Sequence, residues 1–461
     1  MDIAWLRQVM KRRRQDAAVI WRDEAYSFQD VLDAADSWRR RLEDAEIGRG
    51  SVVCLEGDYS PDSIGLMLAL IELSAIIVPL TPASKAHRDE FLRDAQVQYV
   101  VTIYGADQTR VLPVGNLASH PLLLELKASG DPGLVIFTSG STGKMKAALH
   151  NFGRLLERFR EPRQALTTLS FLLMDHIGGI NTLFYALSSG AKLVTVSSRD
   201  PDTVCRAIER HRVEVLPATP SFLNLLIVSE AYERYDLSSL KRVTYGTEVM
   251  PEATLARLRQ LFPKAEIWQL YGLSELGILR CRSRDFGSVW LKVEGEGLQI
   301  KVVDNVLWIK TETAMLGYLN APSPFDEEGW MNTEDVVEVD GDFIRVLGRR
   351  TEIINVGGEK VYPAEVENVL IQMDNIRDVV VYGEKNVLMG NVVVARVNVF
   401  EREDPQSLKR RMVSFCADKL ARFKIPVKVV VAEEPLFSHR YKKRRTQSER
   451  KSPACSDKQE R

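Results

Sequence analysis

Thr138-Ser139-Gly140-Ser141-Thr142-Gly143-Lys144-Met145-Lys146 follows the apolar run Leu134-Val135-Ile136-Phe137, and the reading of this stretch decides the fold. The apolar run predicts a strand, and the residues after it a hydroxyl-rich turn opening at the strand's end. Gly140 and Gly143 let the main chain bend and approach an oligophosphate without a Cβ in the way, while the hydroxyls and ammonium groups supply donors to its oxygens. The stretch is not a Walker loop. That motif needs four residues between its first Gly and Gly-Lys-Ser/Thr, whereas Gly140 and Gly143 lie closer together and Met145 follows Lys144. On its own such a turn is more often a solvated loop than a nucleotide site, so the rest of the chain has to decide.

At 461 residues the chain exceeds what one hydrophobic core usually serves, and two or more domains are expected. With 45% hydrophobic and 27% charged residues it has the composition of a soluble globular protein. A formal net charge of -1 gives no reason to expect a nucleic-acid partner or a membrane surface. The five cysteines, at 54, 205, 281, 416 and 455, show no CxxC pairing and no histidine clustering, which argues against a structural metal or a disulfide framework and for a reducing cytoplasm. Lys11-Arg12-Arg13-Arg14 has no apolar stretch after it, so it reads as a solvated helix face and not as a secretory signal. Ile64 to Leu80 is the longest apolar stretch, but it contains Glu72, Ser74 and Pro79 and predicts a buried helix followed by a strand, not a membrane span.

Elsewhere strand-like runs alternate with helical patterns. Ser27 is placed to cap a helix whose apolar positions Val31, Leu32, Ala35, Trp38 and Leu42 recur at helical spacing, with Gly48 and Gly50 ending it before a strand at Ser51 to Leu55. Ala191 to Val196 and Val213 to Leu216 predict strands around a helix near Thr203 to Arg210; Arg242 to Tyr245 and Glu266 to Leu270 predict strands around another near Glu252 to Leu261. Such alternation implies an α/β fold of largely parallel sheets covered by helices, with ligands at the loops leaving the strands' carboxyl ends. Both the 138–146 loop and the loop Tyr271 to Glu275 fall at such ends. After Arg349 the pattern changes to a smaller α+β unit, with strands near Val379 to Tyr382 and Val392 to Val399. The polar, basic stretch from Arg444 onward is expected to be disordered.

Further elements occur in an order that fits one family: Gly246-Thr247-Glu248, Tyr271-Gly272-Leu273-Ser274-Glu275, Gly317-Tyr318, Gly329-Trp330 with Thr333-Glu334-Asp335, Gly348-Arg349, Gly357-Gly358-Glu359-Lys360, Pro363-Ala364-Glu365-Val366-Glu367, and a late lysine in Tyr441-Lys442-Lys443. With the 138–146 loop they resemble the adenylate-forming (AMP-binding) superfamily of acyl- and aryl-CoA synthetases, peptide-synthetase adenylation domains and luciferases. The resemblance spans nearly the whole chain. It implies a large N-terminal AMP-binding domain (1–349), a small mobile α+β C-terminal domain (350–445) and a basic tail (446–461).

The reaction implied is attack of a carboxylate on the α-phosphorus of ATP with loss of pyrophosphate, followed by transfer of the acyl group to a thiol. The nucleophile is already ionised at neutral pH, so the parts required are cationic and hydrogen-bonding, not basic. By resemblance, Thr138, Ser139, Gly140, Ser141, Thr142, Gly143 and Lys146 would hold the β- and γ-phosphates, and Glu275 a Mg²⁺ ion, the kind of carboxylate ligand this hard cation takes. Gly246, Thr247 and Glu248 would flank the adenine, with Tyr271 stacking on it and Gly272 and Ser274 on the same loop. Asp335 would accept from the ribose hydroxyls and Arg349 would add a cation nearby. Lys442 would meet the developing charge of adenylation, with Lys443 an alternative for that role within the basic run Arg440 to Arg445. The small domain would swing about Thr351, exchanging the lysine for a face with Gly357, Gly358 and Lys360, past which a pantetheine arm could run.

Several residues depart from the family pattern: Met145 and Ala147 in the phosphate loop, Glu334 in place of the Gly before Asp335, Thr351 at the hinge, and Tyr441 in place of the Gly before the lysine. They leave the charged groups in place but bear on flexibility and on the second half-reaction. Asp175-His176-Ile177-Gly178-Gly179 resembles the segment that sets a histidine ring near the carboxylate in acyl- and aryl-CoA synthetases. Asp175 would either enter the pocket, favouring a cationic acid, or orient His176. Tyr245, Gln269, Leu276 and Ile278 are candidate pocket walls, and their bulk suggests a small or medium acid. The implied acceptor is CoA or, alternatively, the phosphopantetheine arm of a carrier protein; a catalytically silent nucleotide-binding scaffold is the third reading.

Overall fold

Ser27 opens the first long helix, Phe28–Asp44, with a capping box: its hydroxyl accepts from the Asp30 amide while the Asp30 carboxylate accepts from the Ser27 amide. Phe28, Val31, Leu32, Ala35, Trp38 and Leu42 form its buried face. That face meets the helix Pro61–Glu72, where Gly65 brings the two backbones together: an added Cβ would lie 2.8 Å from the Ala35 nitrogen. The computed structural model describes residues 3–103, 109–139, 144–161, 163–285 and 287–445. Among them no helix is long and apolar enough to cross a membrane.

The two helices sit in one apolar cluster shared by two seven-stranded sheets. The first sheet runs Glu266–Gln269, Arg242–Tyr245, Val215–Ala218, Thr168–Leu169, Leu193–Val194 and Ala17–Trp21, all parallel, with Glu24–Ser27 antiparallel at its edge. The second has a parallel centre of Gly133–Ser139, Ile76–Leu80, Val52–Glu56 and Tyr99–Ile103, extended antiparallel by Met145–Asn151 and Gly317–Tyr318 on one side and Thr109–Pro113 on the other. These agree with the α/β reading, and the helices Pro201–His211 and Glu252–Leu261 lie where the alternation puts them. The strand expected over Ala191 to Val196 is only Leu193–Val194.

A third seven-stranded sheet, Tyr271–Leu273, Gly277–Ser283, Leu291–Glu294, Phe343–Arg349, Met331–Asp340, Val306–Lys310 and Gln299–Val303, is antiparallel throughout. Alternation of strand and helix signals says nothing about it, because its strands follow one another without helices between them. Its role is to carry Tyr271, Asp335 and Arg349 to one place.

From Ile354 the chain builds a five-stranded sheet with the helices Pro363–Leu370 and Pro405–Cys416 around its own apolar cluster, the small α+β unit expected. Its long hairpin, Ile376–Asn386 and Gly390–Val399, covers both strands read from sequence. One expectation is corrected here. Arg444 and Arg445 are not part of a disordered stretch: the Arg444 amide donates to the Leu436 carbonyl at 2.9 Å, and the partly buried Arg445 pairs with Glu367 and Glu352 at 2.7 and 3.3 Å. Residues 446–461 lie outside the described residues.

Candidate active site

The parallel strands Val215–Ala218, Arg242–Tyr245 and Glu266–Gln269 end side by side, so the segments Thr219, Gly246-Thr247 and Leu270 leave them into one cleft. Gly246 is required there, since a Cβ would lie 2.8 Å from the Leu270 carbonyl oxygen. Thr247 follows at φ 73°, a left-handed conformation that turns the chain across the strand ends. The Glu248 carboxylate accepts from the Ser221 hydroxyl at 2.7 Å and amide at 3.2 Å, and on its other oxygen from the Lys443 amide at 2.7 Å. It therefore ties the late lysine segment to the first sheet, leaving its backbone beside Gly246 and Thr247.

The strands Gly133–Ser139 and Met145–Asn151 form the hairpin that carries the glycine-rich loop, with Thr138 opposite Lys146. Gly140, Ser141, Thr142 and Gly143 lie outside the described residues. Lys146 holds its ammonium 4.9 Å from the ring centroid of Tyr318, whose hydroxyl donates to Glu275 at 2.6 Å. Burial pushes His150 down to about 4, so its ring is neutral and its Nε2–H donates to the Ser274 carbonyl at 2.7 Å. Glu275 is thus fixed from two sides, by Tyr318 on its side chain and by His150 through the preceding residue. Sequence reading missed both supports; the Gly317-Tyr318 pair was visible, but not which carboxylate its hydroxyl would meet.

Asp335 is 6% exposed and accepts the Tyr271 hydroxyl at 2.6 Å on one oxygen, while Arg349 lies 3.2 Å from the other. Burial raises its pKa and the Arg349 charge opposes the rise. Tyr271 is itself 7% exposed, its ring among Leu273, Leu276 and Leu279. Glu334 stands at φ 62°, where the missing glycine would be free, and its carboxylate takes the Arg350 guanidinium in a two-pronged pair at 2.6 and 2.9 Å.

The small unit closes the cleft. Tyr441 also adopts a positive φ, 53°, and is anchored by its surroundings: its ring packs on Phe171, Phe222 and Phe437, its hydroxyl donates to the Arg199 carbonyl at 2.6 Å, and its carbonyl accepts from Thr219 at 2.9 Å. This turn separates the two neighbouring lysines. Lys443 points back into the small unit, donating to the Val379 carbonyl at 2.8 Å and pairing with buried Glu367 at 3.4 Å. Lys442 lines the crevice with His176, Thr219 and Thr247. Burial first, then the Arg440 and Arg349 charges, bring it down from 10.5 to about 8, with Glu248 and Glu275 opposing. His176 caps the helix Ile177–Ser189: its Nδ1 accepts from the Gly178 amide at 3.1 Å, which leaves the proton on Nε2. Burial, then Lys442 and Arg440, hold it well below its usual pKa, so the ring is neutral.

Asp175 makes no bond to His176 and does not line the cavity. It accepts from Thr81 at 2.9 Å and Ser84 at 2.6 Å, and Arg440 of the small unit lies 3.6 Å away. Leu276 is fully buried in the third sheet's core and is not a pocket wall. Tyr245, Gln269 and Ile278 do line a cavity of about 960 Å³ that runs outward from Gly246, Thr247 and Gly272. This volume is at the upper end for a small-molecule site, so the bulk of those side chains does not restrict the site to a small acid. Gly357, Gly358 and Lys360 are not brought to the cleft in this arrangement; they sit on an exposed hairpin tip beside Met389, with Thr351 in the exposed turn Arg350–Glu352.

Residues 6–319 match the AMP-binding enzyme family and residues 365–440 its C-terminal domain. The chain belongs to the AMP-binding enzyme family. Within it, the chain is 28% identical to indoleacetate–CoA ligase of Aromatoleum aromaticum, over 90% of this chain and 91% of the relative. It is 27% identical to 2-succinylbenzoate–CoA ligase of Bacillus pumilus, with the same coverage of each. Among solved structures, the anthranilate CoA ligase AuaEII in complex with anthranoyl-AMP superposes with a TM-score of 0.81 at 19% identity, covering 95% of both chains. O-succinylbenzoate coenzyme A synthetase from Bacillus subtilis, in complex with ATP and magnesium ion, gives 0.74 at 21% identity, covering 96% of this chain and 98% of that one. These structures share the two-unit fold.

Proposed function

We propose that this AMP-binding enzyme activates a carboxylic acid with ATP, releasing pyrophosphate, and transfers the acyl group from the adenylate to the thiol of CoA. The observation that carries the reading is that Lys442, in the crevice with His176 and Thr247, lies within electrostatic reach of Glu275, held by Tyr318, and of Arg349, paired with Asp335, while Thr247 also lines the cavity.

Asp335 and Arg349 would position the ribose, Tyr271 and the Gly246–Glu248 backbone the base, and Thr138, Lys146 and the residues 139–143 the outer phosphates. Glu275, held by Tyr318, would share a Mg²⁺ ion with phosphate oxygens, since that ion usually keeps only one or two protein carboxylates; it would neutralise charge on the leaving pyrophosphate. With the anions so screened, the acid's carboxylate oxygen attacks the α-phosphorus in line and the bond to pyrophosphate breaks. Lys442 donates to the oxygens gaining charge, and the neutral His176 offers its Nε2–H beside the carboxylate. The small unit would then turn about Thr351 to bring Gly357, Gly358 and Lys360 to the adenylate, where a thiolate displaces AMP.

One observation favours a carrier-protein arm as the thiol donor instead: Val387, Leu388 and Met389 are exposed on the loop that touches Gly357, an apolar rim suited to a protein partner. A cytoplasmic location agrees with the free thiols at Cys54, Cys205, Cys281 and Cys416. The test is pyrophosphate release with ATP and Mg²⁺ over a panel of aromatic, aliphatic and amino acids, with CoA, with holo carrier protein and with neither, on the wild type and Lys442→Met. Release from one acid class, thioester only with CoA and loss in the variant are expected. Thioester only with carrier protein would replace CoA as acceptor, and ATP binding with no release from any acid would refute the ligase reading.

A further inference from the structure

We propose that Arg158, supported by Arg163, binds a second anionic group at the far end of the acid, so that the substrate is a dicarboxylate or a like dianion with an apolar body. The inference rests on the ligase reading and names the substrate class of its cavity.

Arg158 follows the short helix Phe152–Glu157 and lines the cavity. Among the described residues its guanidinium has one hydrogen-bond acceptor, the Ile278 carbonyl, and lies 5.6 Å from the Phe159 ring centroid; it has no carboxylate partner. Other arginines of low exposure are matched: Arg7 by Asp36 and Glu72, Arg242 by Glu266, Arg445 by Glu352 and Glu367. A partly buried cation without a carboxylate partner is costly. Burial first, then the charge of Arg163, lower Arg158 from 12.5 to about 10. Arg163 in turn donates to the Tyr185 hydroxyl at 2.6 Å, and its guanidinium lies 4.8 Å from that ring's centroid. The cavity's carboxylates, Glu161, Asp285 and Glu294, make no bond to Arg158. Two guanidiniums at the wall of a cavity, one partly buried without a carboxylate partner and the other exposed, form a site for an anion that comes from outside the chain.

Gly178 and Tyr185 lie on one helix, Ile177–Ser189, and seven residues at 1.5 Å each separate them by about 10 Å along its axis. Gly178 follows His176 and so marks the reacting end; Tyr185 marks the end with Arg158 and Arg163. The cavity's walls include the apolar Leu166, Leu172, Ala218, Ile267 and Ile278, with Asn181 and Thr182 of the same helix between its two ends. An acid with a hydrophobic or aromatic spacer between two anionic groups matches this order.

The test pairs phenyl-spaced and straight-chain dicarboxylates with their monomethyl esters, measured by calorimetry in the presence of α,β-methylene-ATP and by pyrophosphate release with ATP. For the wild type, at least one diacid is expected to bind roughly 30-fold tighter than its ester. Arg158→Met should bring the two within a few-fold while leaving the ester's affinity unchanged, and Arg158→Lys should restore part of the preference. In kinetics the loss should fall on KM and not on kcat, because a contact remote from the reacting carboxylate acts on ground and transition states alike. Equal binding of every diacid and its ester by the wild type would overturn the proposal, as would an equal loss of both in Arg158→Met. A diacid preference in calorimetry without pyrophosphate release would keep the subsite and sink the ligase reading; release from the esters without preference would do the reverse.

Discussion

Replacing Lys442 by Met is expected to stabilise the ligand-free protein while removing adenylation. The folded protein gives up the Lys442 proton near pH 8 and the unfolded chain near 10.5, because burial and then Arg440 disfavour the ammonium. Between those values the unfolded state holds more protons, so this group's contribution to stability rises with pH through that window and is most unfavourable below it. At about 1.4 kcal/mol per pH unit, the gap corresponds to about 3 kcal/mol of strain carried at pH 7. Met keeps the length of the stem without the charge, so Lys442→Met should gain roughly 2 to 3 kcal/mol at pH 7 by urea denaturation. The difference from the wild type should shrink as pH climbs from 8 toward 10. Bound ATP supplies the missing anion, and the same variant should lose on the order of a hundredfold in pyrophosphate release. The wild-type kcat/KM should fall as pH passes about 8. A variant less stable than wild type at pH 7, or a stability difference that widens toward pH 10, would refute the electrostatic account; unchanged pyrophosphate release would remove Lys442 from the chemistry.

Lys443→Met should behave oppositely. It breaks a buried pair with Glu367, which burial pushes up but Arg445 and Lys443 hold near 2, and should cost about 2 kcal/mol of stability with a much smaller effect on adenylation than Lys442→Met. Tyr318→Phe removes the 2.6 Å bond to Glu275, and roughly three- to tenfold slower adenylation with a higher Mg²⁺ requirement is expected in a Mg²⁺ titration. Glu334→Gly with Tyr441→Gly relieves two positive-φ side chains and releases both the Arg350 pair and the aromatic anchor. If these hold the small unit with Lys442 inward, thioester formation should gain roughly three- to tenfold relative to adenylation in single-turnover measurements, and a proportional loss of both steps would show that they do not.

The order of motifs and the local periodicities could be read without tertiary structure because each depends on residues within a few positions of one another. Ser27 with Asp30, the apolar face from Phe28 to Leu42 and the strand endings before Thr138 and Gly246 are all local. The sequence by itself therefore determined the family resemblance, the α/β class and which residues are candidates to meet ATP. It did not determine direction. Lys442 and Lys443 are chemically alike and adjacent, and only the turn held at Tyr441 by Phe171 and Phe222 sends one to the cleft and the other to Glu367. Asp175, beside His176 in the chain, is claimed by Thr81 and Ser84. Glu275 meets Tyr318 across 43 positions, and Arg158 stands at the cavity wall against Ile278 across 120. A side chain's partners, and so its charge and its task, are set by segments that the chain brings together only when its sheets pack, and no spacing along the sequence carries that information.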